Sequence, residues 1–191
     1  MADKITIIDK LIAATLLKLI PGWVTPNHMT IFRFLMLPFL IFALVNEAYV
    51  VGIVLFILAA LSDALDGAKA RTSNQITEWG KMFDPIADKL LIGTTSAIII
   101  STQIGQVLAL IIIVLELFIV TGAFLYKQKY KHVTIEANKV GKAKMIFQSF
   151  GIGFLFLFVI LGTPILLPIA IWTLYASIFF AVLQLFVFRA L

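Results

Sequence analysis

Apolar residues fill this chain in long blocks, and the short segments between them hold most of its charged side chains. The first block runs over about 28–46, uniformly apolar except for Arg33 near its start. The second begins near 49 and is apolar through Leu61, then passes by way of Ser62 straight into Asp63. Four more cover about 83–100, 107–126, 144–162 and 165–188. A helix needs roughly 20 residues to cross a bilayer, and these blocks suit that length. Ahead of them, KITIIDKLIAATLLKLI (4–20) places isoleucine and leucine at helical spacing, with Lys4, Asp9, Lys10 and Lys18 elsewhere around the wheel. That is the pattern of a helix lying on a membrane surface. Pro21-Gly22 ends it, and TPNHMT (25–30) supplies turn and cap residues before the first block. The expected fold is an all-α integral membrane protein with six transmembrane helices plus an N-terminal amphipathic interfacial helix. Its expected organisation is a juxtamembrane helix over 1–22 and a six-helix transmembrane domain over 23–191, with no internal repeat.

Composition strengthens this reading. The 191 residues are 62% hydrophobic and 13% charged, with a mean hydropathy of +1.09, far outside the range of soluble domains. The absence of cysteine excludes thiol catalysis, disulfides and thiolate-bound zinc. Acids and bases interrupt the first 20 residues and no small-residue cleavage site follows, so the N-terminus is expected to be retained. A net charge of +5 raises nucleic acid as a partner, but the bases lie in short segments between apolar helices, where orientation and anionic lipid account for them. The segments Asn46 to Ala48, Ser101 to Gln106 and Gly162 to Thr163 contain no lysine or arginine. All the bases therefore fall on the other side, which puts both termini at the cytosol under the positive-inside rule.

Asp63 to Asp88 reads DALDGAKARTSNQITEWGKMFDPIAD and faces that same side. Asp63 and Asp66 are three residues apart, and Asp84 and Asp88 are four apart. On two helices, each pair projects from one face, one turn apart. Carboxylates near membrane depth are costly without a partner, and divalent cations are the simplest remedy. Mg²⁺ or Mn²⁺ suits such oxygens and commonly shares its shell with substrate phosphates. Two ions held this way can bridge a diphosphate and support in-line displacement at phosphorus. Gly67 and Gly80 leave helix faces bare where a nucleotide can press against backbone, and Arg71 suits bidentate contact with a phosphate.

With these residues in place, Asp63-x2-Asp66-Gly67-x2-Ala70-Arg71-x8-Gly80-x3-Asp84-x3-Asp88 resembles the complete signature of the CDP-alcohol phosphotransferases. Pro26-Asn27-x2-Thr30-x2-Arg33 and Asp84-Pro85-x-Ala87-Asp88-Lys89 are similar to the same family. The resemblance implies a six-span, homodimeric enzyme of a bacterial or archaeal cell membrane with a cytosolic active site. Such an enzyme moves a phosphatidyl group from CDP-diacylglycerol onto an acceptor hydroxyl and releases CMP. It implies Asp63, Asp66, Asp84 and Asp88 as metal ligands, with Asp88 also taking the acceptor's proton. It further implies Asp63, Gly67, Arg71 and Gly80 as the CDP-donor site. A base at Asp88 is chemically reasonable, since one carboxylate among four can hold a proton while metals keep the others charged.

Lys127, Lys129, Lys131, His132, Lys139, Lys142 and Lys144 make the densest basic stretch, which suits an anionic acceptor. Val140-Gly141-Lys142-x-Lys144 resembles phosphatidylglycerophosphate synthases, implying glycerol 3-phosphate, with Lys139, Lys142 and Lys144 at its phosphate. Many of those synthases carry Arg-Glu where this chain reads Leu115-Glu116, and inositol phosphate stands as the alternative acceptor. Glu116, inside the fourth block, is divided between a partner of the site and a helix-packing hydrogen bond. Arg33 either snorkels to the interface or pairs with an aspartate. His28 and His132 have no partner pattern around them that suggests a metal. Two readings of other classes compete. A transporter would place its acids near mid-membrane on broken, repeated helices, and a catalytically dead scaffold would not need all four aspartates.

Overall fold

The computed structural model describes residues 15, 17, 21, 23–72, 77–129 and 139–189, and they are all-helical. Six long helices follow one another: α1 Pro26–Val45, α2 Tyr49–Thr72, α3 Glu78–Gln103, α4 Gln106–Lys129, α5 Lys139–Leu161 and α6 Leu166–Arg189. The surface helix expected over 4–20 lies outside the described residues apart from Thr15 and Leu17. Among the described residues, four stretches are long and apolar enough to cross a membrane: Pro26–Val45, Tyr49–Thr72, Val140–Leu161 and Leu166–Phe186. Gln106–Gly122 is a shorter apolar helix. α3 is diluted by Asp84, Asp88 and Lys89 near its start and by Gly93-Thr94-Thr95-Ser96 further on.

The apolar core, with Leu40, Leu44, Ile99, Ile152, Phe156 and Leu174, is matched by an apolar outside, unlike that of a water-soluble bundle. Phe39, Phe42, Val54, Leu117, Phe118, Phe179 and Phe186 point outward, while Arg33, Asp66, Thr95, Ser96, Lys144 and Gln148 are buried. Lipid tails are as apolar as leucine, so outward-facing large apolar residues cost nothing there, whereas polar groups must find partners inside.

Helix ends follow ordinary chemistry. Thr25 caps α1: its Oγ1 accepts from the backbone N of His28 at 3.4 Å, and His28 Nδ1 accepts from the backbone N of Thr25 at 3.2 Å. This reciprocal box, with Pro26 just inside the helix, fixes where α1 begins and occupies His28. Thr77 Oγ1 accepts from the backbone N of Gly80 at 3.0 Å and so caps α3. Three residues join α1 to α2, which run antiparallel as a hairpin; Asn46 closes the turn, its backbone N and Nδ2 both reaching Phe42 O. α5 ends at Gly162, whose positive φ of 63° is the left-handed stop a glycine adopts without strain.

The chain divides into two compact units, Met1–Leu91 and Ile92–Leu191, with the boundary inside α3. In the first, α1 packs on α2; Met29, Leu40, Ala43 and Leu44 of α1 and Gly52, Ala59 and Ser62 of α2 are buried. Small residues on α2 let the two backbones approach closely. In the second, α5 and α6 pack with Gly151 so close to Leu174 that a Cβ would stand 2.8 Å from its Cγ. Phe147 stacks on Phe180 at 5.3 Å, and Gln148 Nε2 donates to Ser96 Oγ at 2.9 Å.

Candidate active site

The four aspartates come together in the first unit. α2 carries Asp63 and Asp66 one turn apart, and α3 carries Asp84 and Asp88 one turn apart, as the spacing requires. α1 contributes the cation between them. Arg33 Nη1 donates to Asp63 Oδ1 at 2.9 Å and to Asp88 Oδ1, and its Nη2 donates to Asp66 Oδ2. Asp84 Oδ1 lies 3.9 Å from the same Nη2 and accepts a hydrogen bond from Thr30 Oγ1. The Arg33 side chain is fully buried, and its Nε has no hydrogen-bond partner among the described residues. A buried guanidinium is stable here because carboxylates from two helices take its protons.

Around this cluster the turn before α3 is pinned to α1. Thr77 Oγ1 donates to Asn27 Oδ1 at 2.7 Å while capping α3, so one hydroxyl joins both helices. Gly80 sits against this junction. A Cβ there would stand 3.1 Å from Thr77 Oγ1, 3.4 Å from Asn27 Oδ1 and 3.4 Å from Asp84 Oδ2. Gly67 has a similar reason on α2, where a Cβ would meet the Arg71 guanidinium, one turn further on, at 3.1 Å. Lys69 donates to the backbone carbonyl of Val24 and so ties the end of α2 to the entry of α1.

The sequence placed the aspartates, Gly67, Arg71 and Gly80 in this neighbourhood. On α1 it marked Pro26-Asn27-x2-Thr30-x2-Arg33 as similar to the family and left Arg33 divided between the interface and an aspartate. Asn27, Thr30 and Arg33 recur every three residues and therefore share a face of α1. That spacing marks a shared face without naming its partners: Thr30 bonds Asp84 on α3, Arg33 bonds Asp63 on α2, and Asn27 accepts from Thr77, the cap just before α3.

Among the described residues, no set of three or more acidic or histidine side chains stands as a ready metal cage. The donor chemistry nevertheless suits a hard divalent cation. The cluster offers only carboxylate oxygens, it already gathers around a positive group, and Arg33 engages a single oxygen of each aspartate.

In the second unit, Lys144 on α5 forms an ion pair with Glu116 on α4; both are largely buried. Lys142 is exposed, and the side chain of Lys139 lies outside the described residues, as do Lys131 and His132. Of the three lysines the sequence proposed for an anionic acceptor, Lys144 is thus held by an internal acid. Glu116 is paired inward rather than facing lipid.

Against this geometry, a family model described as CDP-alcohol phosphatidyltransferase matches residues 23–183. The chain belongs to the CDP-alcohol phosphatidyltransferase family. Its relatives carry a narrower description. It is similar to the CDP-diacylglycerol--glycerol-3-phosphate 3-phosphatidyltransferase of Rickettsia felis, with 35% identity over 135 residues, 69% of this chain and 74% of that protein. The Bacillus subtilis protein of the same description is 31% identical over 174 residues, 83% of this chain and 90% of the relative. That of Aquifex aeolicus is 32% identical over 136 residues, 65% and 70% of the two chains. CDP-alcohol phosphatidyltransferases transfer phosphate-containing groups, and the aspartate cluster lies wholly within the matched span.

Proposed function

We propose that the chain transfers a phosphatidyl group from CDP-diacylglycerol to glycerol 3-phosphate, releasing CMP, as a six-span enzyme whose active site opens to the cytosol. The observation that carries this reading is the convergence of Asp63, Asp66, Asp84 and Asp88 from two helices on one buried point. The relatives' description supports the acceptor, and the lysine-rich stretch of sequence from Lys127 to Lys144 supports an anionic one. The reading takes the working enzyme as a homodimer of a bacterial or archaeal cell membrane.

In this reading the aspartates hold two divalent ions, Mg²⁺ or Mn²⁺, which when bound neutralise the diphosphate and draw charge from the leaving phosphate. Gly67 and Gly80 form the CDP-donor site with Asp63 and Arg71: Gly67 lets the Arg71 guanidinium lie close against α2, from where it reaches the donor's phosphates, and Gly80 keeps the Thr77–Asn27–Asp84 junction tight. Asp88 accepts the proton of the acceptor hydroxyl. As that oxygen bonds to the phosphorus bearing the diacylglycerol, the bond from this phosphorus to the bridging oxygen breaks, and CMP leaves with the bridging oxygen. Lys142 and Lys144, with Lys139, bind the acceptor's phosphate, Glu116 holding Lys144 in its buried position. The apolar outer faces of the helices let a lipid donor approach sideways from the bilayer.

The test is direct. Detergent-solubilised protein with CDP-diacylglycerol and Mg²⁺ or Mn²⁺ is expected to release CMP with glycerol 3-phosphate and not with serine or inositol. Release with inositol 1-phosphate instead would move the acceptor while leaving the reaction class in place. No CMP with any of the four would remove the enzymatic reading.

A further inference from the structure

We propose that Arg33 is a positioning residue, a permanent internal cation that holds the four aspartates from behind in the geometry that binds divalent ions. The inference rests on the metal-dependent reading above and concerns a residue which that reading leaves without a role.

The geometry distinguishes a cation held behind the site from one that merely fills it. The Arg33 side chain is 0% exposed, whereas those of Asp63, Asp84 and Asp88 are 44%, 33% and 25% exposed. Asp66, at 4%, is buried with the guanidinium, so the cluster has a closed side, where Arg33 and Asp66 lie, and an open side formed by Asp63, Asp84 and Asp88. An ion entering the cluster comes from the open side and meets the carboxylates first.

The bonding pattern agrees. Arg33 takes Oδ1 of Asp63 and Asp88 and Oδ2 of Asp66, and approaches Oδ1 of Asp84, one oxygen from each carboxylate. Thr30, one turn earlier on α1, reinforces the longest of these contacts by donating to the same Asp84 oxygen. The second oxygen of each aspartate is not used by Arg33. A planar fork with several donors can cross-link acids from two helices in this way, which a single ammonium cannot. Charge points the same way: four carboxylates repel one another, and a fixed +1 between α2 and α3 lowers the cost of keeping them close before any ion arrives. Hydrogen-bond partners that orient ligating carboxylates commonly change metal affinity by about 10- to 100-fold when removed.

The experiment titrates Mn²⁺ into full-length, detergent-solubilised wild type, Arg33→Gln and Arg33→Lys, reading free Mn²⁺ by its electron paramagnetic resonance signal on monodisperse samples. Arg33→Gln is expected to bind Mn²⁺ about 10- to 100-fold more weakly, with partial recovery in Arg33→Lys. Unchanged affinity in Arg33→Gln, even with a lowered melting temperature, would make Arg33 a packing residue and overturn the proposal. Tighter binding would overturn it too, because the guanidinium would then be a competitor. If Arg33→Gln does not survive solubilisation, Arg33→Lys decides: wild-type affinity there overturns the role, and weaker binding upholds it. Failure of the wild type to bind Mn²⁺ would sink the metal reading itself, an outcome distinct from all of these.

Discussion

Replacing Asp88 by asparagine is expected to stop CMP release while CDP still binds. The amide keeps the size of the side chain and an oxygen able to accept from Arg33 Nη1, so the cluster retains its shape. What is lost is the capacity to take a proton from the acceptor hydroxyl. Positioned proton transfer commonly contributes about 10²- to 10⁴-fold, and a fall of that order in turnover is expected. Binding of CDP, followed calorimetrically in the presence of Mn²⁺, should stay within severalfold of wild type, since three aspartates and Arg33 remain. Wild-type turnover would remove the base from Asp88. A parallel loss of CDP binding would instead make Asp88 chiefly a holder of the site.

Chelation of divalent cations is expected to have an effect at least as large. Four carboxylates against one guanidinium leave the cluster with a formal charge of −3, and the donor's diphosphate is itself an anion. Each pair of like unit charges about 5 Å apart costs about 3 kcal/mol at an effective dielectric near 20, so several such pairs keep the diphosphate out. A penalty of about 4 kcal/mol already corresponds to about a thousandfold in rate. CMP release should therefore disappear in EDTA at constant ionic strength and return with Mg²⁺ or Mn²⁺ but not with added Na⁺. Full activity in EDTA would mean that the diphosphate is held without divalent ions, and would remove the metal reading.

The gathering of the four aspartates was legible in the sequence for a specific reason. Aspartates spaced three and four apart fall on one helix face whatever the surroundings, so Asp63 with Asp66 and Asp84 with Asp88 were paired before any fold was known. The apolar blocks located the helices, but their ends moved where charged residues continue a helix. α5 begins at Lys139, ahead of the expected 144, and α3 begins at Glu78, where Thr77 supplies the cap. Lysines before an apolar run look like a loop, yet Lys139 and Lys142 lie inside the helix, and Lys144 after them pairs with Glu116. Arg33 was harder, because an arginine at the end of a span snorkels or pairs with equal ease. Which of these occurs depends on partners 30 and 55 residues away, and periodicity within one helix carries no information about them. The third helix shows the converse, with polar residues that serve the site weakening the apolar signal of its span.

Crystals of the full chain soaked with Mn²⁺ and CDP, measured at the manganese absorption edge, interrogate the central claim with the fewest intermediaries. Anomalous density on the open side of the cluster, within bonding distance of Asp63, Asp66, Asp84 and Asp88 and touching the diphosphate, with Arg33 still behind them, is the outcome this account requires. A diphosphate bound elsewhere, or ordered CDP with no manganese among those carboxylates, would contradict it.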